Sequence, residues 1–375
     1  MVGALPGLLD LGRRVRARRD EAHLDVPTLA ARASVDAPRI EAFEAGEGGL
    51  GVAELMRIAS ALGVSGTSFV HTRAPIVSAP IDPAIVLKGP GAGWLDECDR
   101  AALAEGLRRA RLFTVAGELL GAPRLADTFS ATSPPQRNAH QPGYDAALTV
   151  RGQLHRPGPL RSLARLLEDK FDVLVLRHRF GDSRVLGAAC RSGNARLVAV
   201  NIGCLVETTR RFALAHELAH QLLDLDESGV TADERTERGP RAWFDKPPRE
   251  KRADAFAAML LASVATVEEL VGPPRGASSY EEAKVIVEKV RARVGMGFAA
   301  TTWHLHNLGY FDQGHAEMLL LGEPETDPVT GFEEETRFDG LERRVFEAYA
   351  KETISRGRAR ELLGGADPET VAATL

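Results

Sequence analysis

Two histidines four residues apart, His216 and His220, flank Glu217 within a run that is otherwise apolar: Phe212, Leu214, Ala215, Leu218, Ala219, Leu222 and Leu223. Apolar positions at this spacing predict a helix over about 207–223. Four residues advance a helix by ~6 Å and a little over one turn, so both imidazoles emerge on one face. The apolar flanks draw that face toward the interior, where polar rings must find partners. Any fold this chain adopts must bury the helix and bring other groups to meet the two histidines.

Two such rings can converge on one Zn²⁺ at bond lengths of ~2.0–2.1 Å. Glu217 is rotated off the pair, where it could take a proton from an attacking water. A catalytic zinc takes a third protein ligand and keeps one position open. Downstream candidates are Asp224, Asp226, Glu227, Asp245, Glu250 and Asp254. Asp224 lies one turn past His220, but three successive ligands on one straight helix cannot easily surround a single ion. Glu250 and Asp254 sit at i, i+4 in a second predicted helix, EKRADAFAAMLLA at 250–262, which can approach from another side. The residues alone leave both open. The competing reading is a pair of histidines satisfied by backbone or carboxylate groups. Mn²⁺ and Fe²⁺ suit the same donor types as zinc.

The rest of the chain supplies context. Its 375 residues allow two or three domains, with ample apolar material for a core. A net charge of −5 gives no global pull toward nucleic acid or anionic membrane. Cys98, Cys190 and Cys204 lie far apart and form no CxxC pair, which argues against sulfur-ligated zinc and fits a reducing cytosol. No apolar run approaches the ~18 residues of a membrane span, and the start has no secretory pattern. The expectation is a cytoplasmic protein without membrane contact.

Hydrophobic spacing divides the chain into residues 1–72, a compact helical unit; 73–143, a Pro/Gly-rich linker and helical arm; 144–310, mixed α and β; and 311–375, a C-terminal helical region. In the third segment, 171–178, 185–190 and 197–202 read as strands, the last two joined by RSGN. The expected class is α+β: a helical domain, then a small antiparallel sheet with the HExxH helix, then helices.

Residues 159–178, LVAVN at 197–201, RRFALAHELAH at 210–220, EKRADAFAAMLL at 250–261 and ATTWHLHNLGYF at 300–311 together resemble the ImmA/IrrE metallopeptidase family. The resemblance implies a zincin-like domain over about 145–310. It implies Glu250 as the third, gluzincin-like ligand and Asp254 as a hydrogen-bonding support for the ligands. It also implies an endopeptidase that cleaves helix-turn-helix repressors under stress or to excise mobile elements. Ala262-Ser263 stand where the family's Met-Pro is usual.

Within 1–72, LDVPTLAARASVDAPRIEAFEAG resembles an XRE-like helix-turn-helix, with a second helix at 26–33 and a recognition helix at 36–44. Such a unit puts its recognition helix in the major groove and holds phosphates with basic groups. Here eight arginines meet nine carboxylates. Arg13, Arg14 and Arg39 are the candidate contacts to DNA or to a protein partner, and units of this kind commonly pair as homodimers. The alternative function is a DNA-binding regulator whose metal site senses or stabilises without turnover.

His304 and His306 are candidate oxyanion stabilisers, against an ordinary role as helix residues. His140, His155 and His178 read as structural or exposed. Arg210 and Arg211 read as capping or solvating the start of the HExxH helix, and 341–365 as two helices around Ile354-Ser355.

Overall fold

A computed structural model describes residues 8–22, 24–64, 69, 92–121, 140–154, 158–204, 206–225, 228–234, 246–322, 329, 331–332 and 340–373. Most of the linker, most of the acidic loop near 322–337, and His155, Asp226, Glu227 and Asp245 lie outside these residues. Among them, no helix is long and apolar enough to cross a membrane. The chain forms two compact units. The described residues of 1–79, 112–122 and 337–375 make one, and those of 80–111 and 123–336 the other.

The first unit begins with α1 (Leu8–Glu21), α2 (Val26–Ala33), α3 (Ala37–Ala45) and α4 (Val52–Ala61). Asp25 caps α2 by accepting the Thr28 backbone N–H at 2.8 Å, and Pro27 sits in the first turn, where its missing donor costs nothing. Val15, Leu29, Ile40, Phe43, Ile58 and Phe69 form the core. The same unit holds the end of α5 (Glu97–Leu120) and, past the second unit, the helices Gly340–Ala350, Arg356–Leu362 and Pro368–Ala373. The stretch 311–375, read above as one region, therefore divides: residues 313–322 pack into the core of the second unit.

In the second unit, α6 (His140–Leu154) and α7 (Leu163–Phe171) precede β1 (Leu174–His178), β2 (Val185–Ser192) and β3 (Ala195–Asn201). After α8 (Glu207–Leu223) come β4 (Ser228–Glu234), α9 (Pro248–Leu261), α10 (Val264–Val271), α11 (Tyr280–Val294), α12 (Phe298–Asn307) and α13 (Gln313–Gly322). The sheet order is β1-β3-β2-β4.

One expectation is corrected here. The sheet is mixed: β3 pairs antiparallel with β2 but parallel with β1, in register from Leu174↔Leu197 to His178↔Asn201. The reason is the position of β3. The two-residue turn Gly193-Asn194 folds β3 back along β2 as a hairpin, and β3 inserts between β2 and β1. All seven residues of β3 are buried, as a central strand covered on both faces requires.

Helix α8 lies against β2 and β3. Buried Gln221 donates from Nε2 to the carbonyls of Cys190 (2.8 Å) and Leu197 (2.7 Å), one on each strand. At the other end Arg211 is wholly buried and donates to the carbonyls of Arg161 (2.8 Å), Val294 (3.2 Å) and Leu160. Its guanidinium lies 4.8 Å from the centre of the Phe332 ring. Arg211 therefore does not solvate the helix start; it pins the helix to three neighbouring segments. Arg210 donates to the Cys204 carbonyl at 2.6 Å.

Candidate active site

Helix α8 carries His216, Glu217 and His220, all buried, and α9 brings Glu250 and Asp254 to the same place. Each imidazole is oriented by a carboxylate on its Nδ1. His216 Nδ1–H donates to Asp254 Oδ1 at 3.0 Å, and His220 Nδ1–H donates to Asp224 Oδ2 at 2.7 Å. With Nδ1 protonated, each neutral ring presents the lone pair of Nε2. Those two Nε2 atoms lie 3.0 Å apart, and Glu250 Oε2 lies 3.1 Å from one and 3.4 Å from the other.

With both rings neutral, this is an arrangement of acceptors without a donor among them. Two nitrogen lone pairs and a carboxylate oxygen crowd one point, a geometry that needs positive charge between them, supplied by a metal ion or by a proton on Nε2. Ligands on a tetrahedral ion with ~2.0–2.1 Å bonds stand about 3.3 Å apart, close to the separations seen here. Among the described residues, His216, His220 and Glu250 are the group able to hold a metal ion. Without an ion, a proton on His220 meets that need: burial lowers its titration, but Asp224 and Glu250 outweigh burial and lift it to about 9. Burial likewise raises Glu250, yet its hydrogen bonds with the two imidazoles win and hold it well below the usual carboxylate range.

Outside the donors lies a shell of charge. Lys246 Nζ contacts Asp254 Oδ2 at 2.8 Å, Arg249 Nε contacts Glu250 Oε1 at 2.9 Å, and Arg252 pairs with Asp224. Glu217, one residue on from His216, faces β2 at Gly187. A Cβ on residue 187 would stand 3.0 Å from Glu217 Cγ and 3.1 Å from both Glu217 Oε1 and the Ala199 carbonyl. A side chain at 187 would press the carboxylate by a few tenths of an ångström from its place beside the strand.

Comparison with known families adds two matches. Residues 10–69 match a helix-turn-helix domain, and residues 168–300 match a peptidase-family domain described as IrrE N-terminal-like. Together the two matches agree with the make-up of an ImmA/IrrE protein that carries a helix-turn-helix domain. No curated protein matches the chain. The first match suggests DNA binding and the second a metallopeptidase-type enzyme, and a helical domain followed by the second matched domain fits the α+β class.

Other candidates are placed elsewhere. His304 donates from Nε2 to the Ala262 carbonyl at 2.7 Å, and its Nδ1 accepts from the Tyr144 hydroxyl at 3.1 Å. With both nitrogens engaged it does not serve an oxyanion; it ties α12 to the end of α9. His306 Nδ1–H donates to the Phe311 carbonyl at 3.0 Å. His178 pairs with buried Asp99 at 2.8 Å, a structural role as expected from the sequence. In the helix-turn-helix unit Arg13 is exposed, Arg14 donates to the Phe69 carbonyl at 3.2 Å, and Arg39 is held by Glu54 on α4, with one contact at 3.0 Å.

Sequence reasoning weighed Asp224 only as a ligand and passed over Lys246, Arg252 and Gly187. An acid four residues after a candidate ligand histidine was the available signal for Asp224, since i and i+4 share a helix face. Nothing local marked the other three.

His304 also sets a pH dependence. Burial pushes its imidazole down to about 4 from an ordinary 6.5, opposed by its bond to Ala262. The unfolded chain then binds a proton that the native state refuses, so stability falls as pH drops from 6.5 to about 4 and levels off below. The loss amounts to about 3 kcal/mol. Urea unfolding of the wild type and of His304→Gln at pH 7 and pH 4.5 should show a smaller pH-induced loss in the variant. Equal losses would exclude His304 as the source.

Proposed function

We propose that this chain is a zinc-dependent endopeptidase, with His216, His220 and Glu250 as metal ligands and Glu217 as general base, and that its substrate is a helix-turn-helix repressor. The observation that carries the reading is the convergence of two Nε2 atoms and a carboxylate oxygen on one point, beside a fully buried glutamate. A divalent ion held there supplies Lewis acidity toward a peptide carbonyl. Glu217 accepts a proton from the attacking water and can return it to the leaving amine. Asp254 and Asp224 keep both rings in the tautomer that offers Nε2. Gly187 gives Glu217 room against β2, and the sheet offers a place for a substrate segment to add as a strand.

The repressor as substrate rests on the resemblance to ImmA/IrrE enzymes and on the chain's own repressor-like unit, which could pair with a similar fold. The experiment is incubation of the purified, zinc-loaded chain with the helix-turn-helix repressor encoded beside its gene, read by intact-mass spectrometry. One new pair of fragments that sum to the repressor plus water supports the reading. An intact repressor, together with intact proteins across a broad set of lysate substrates, would sink it.

The second reading, a DNA-binding regulator whose metal does no turnover, is favoured by the match at residues 10–69. The residues available for base reading are few: Arg39 is held by Glu54, and Asp36 and Glu41 are exposed beside it. Arg13 on α1 is the contact proposed for phosphate. Tight, sequence-specific binding to the promoter upstream of its gene, with no cleavage of any substrate, would decide for the regulator.

A further inference from the structure

We propose that Arg252 and Asp224 form a clamp that positions His220, so that an ion pair outside the three ligands sets metal affinity. The inference rests on the metal-holding reading above and extends it to two residues outside the three ligands.

The two ligand histidines are supported in different ways. Asp254, the partner of His216, lies on α9 beside Glu250, so one hydrogen bond already ties that ring to the opposite helix. The partner of His220 comes from its own helix. Asp224 is the C-cap of α8, its backbone N–H donating to the His220 carbonyl at 3.0 Å, and its carboxylate folds back to accept from Nδ1. A carboxylate at a helix C-terminus faces the negative end of the dipole and has no local support there. Arg252 supplies that support from α9, pairing through Nη2 with Asp224 Oδ1 while Oδ2 holds the ring. The side chains are mostly shielded, 19% exposed for Arg252 and 14% for Asp224, so solvent screens the pair less than an open surface bridge. The chain Arg252–Asp224–His220 therefore gives His220 the tie to α9 that His216 receives from Asp254 directly.

Support of this kind typically changes metal affinity by 10–100-fold. The test uses the full chain as wild type, Asp224→Ala, Arg252→Gln, Arg252→Lys and the Asp224→Ala/Arg252→Gln double variant. Zn²⁺ affinity is read by competition with a chromophoric chelator, and donor geometry by the visible absorption of the Co²⁺-loaded chain. Each of the first two single variants should bind Zn²⁺ about 10–100-fold more weakly, with an altered Co²⁺ spectrum. The double variant should bind no more weakly than Asp224→Ala, because Arg252 acts through Asp224. Arg252→Lys keeps the charge and should recover part of the loss even if Arg252→Gln folds poorly.

Affinities within twofold of wild type in both single variants, or losses that simply multiply in the double variant, would overturn the clamp while leaving the metal site intact. A wild type that binds no Zn²⁺ would overturn the clamp and the metal-holding reading together.

Discussion

Glu217→Gln should leave Zn²⁺ stoichiometry unchanged and lower peptide-bond cleavage by about 10²–10⁴-fold, the range that a positioned general base contributes. The substitution is nearly isosteric, so the space beside Gly187 stays filled and the helix keeps its seat on β2 and β3. What changes is the ability to take a proton. The proposed ligands are on other residues, so metal content measured on both proteins separates the base from the site that holds the ion. A cleavage rate within tenfold of wild type, at equal metal content, would remove Glu217 from the chemistry. A matched loss of metal and activity would instead assign it to the site's structure.

A second large effect is expected far from the proton transfer. Gly143 on α6 packs against α9 so closely that a Cβ there would stand 2.3 Å from the Arg252 carbonyl oxygen and 3.0 Å from both the Phe256 amide nitrogen and the Ala255 methyl. Ordinary contact needs ~3.5 Å, so Gly143→Ala must move one helix by about 1 Å. The obstacle is mostly backbone, which cannot rotate away as a flexible side chain would. Overpacking of this kind costs about 1–3 kcal/mol, and it moves the helix that carries Glu250, Arg252 and Asp254. Urea unfolding should show the loss of stability, and chelator competition should show weaker Zn²⁺ binding as well. Wild-type values in both would mean that α6 and α9 slide past one another without cost.

The acid response of His304 belongs to the same region. Its ring joins the last turn of α9 to α12 and, through Tyr144, to α6, so one buried imidazole connects three helices around the site. Its burial, at 1% exposed, is what makes protonation costly.

Much of this was legible in the sequence because it depends on short-range periodicity. The spacing of His216 and His220 within an apolar run required a helix with both rings on one face, and α8 spans Glu207–Leu223. Asp25 with Pro27 marked the start of α2, and short apolar runs marked β1, β2 and β3 but not β4. The family resemblance, from motifs spread between 159 and 311, is matched at residues 168–300.

The tertiary structure decided what depends on which segments meet. The parallel pairing of β1 with β3 could not be read from either strand, because a buried strand's composition is the same whichever way its neighbour runs. Glu250 and Asp254, equivalent by spacing, are separated by docking: Glu250 faces the Nε2 atoms and Asp254 faces Nδ1 of His216. Arg252 lies 28 residues from Asp224, and Gly187 lies 30 from Glu217, distances over which no periodicity carries information. His304 had the residue type of a catalytic group, and only its two hydrogen-bond partners revealed a structural one. Local pattern determined the elements and the donor types, since helix and strand periods are properties of the chain itself. Packing determined which donor meets which, since that follows from contacts between residues remote in sequence.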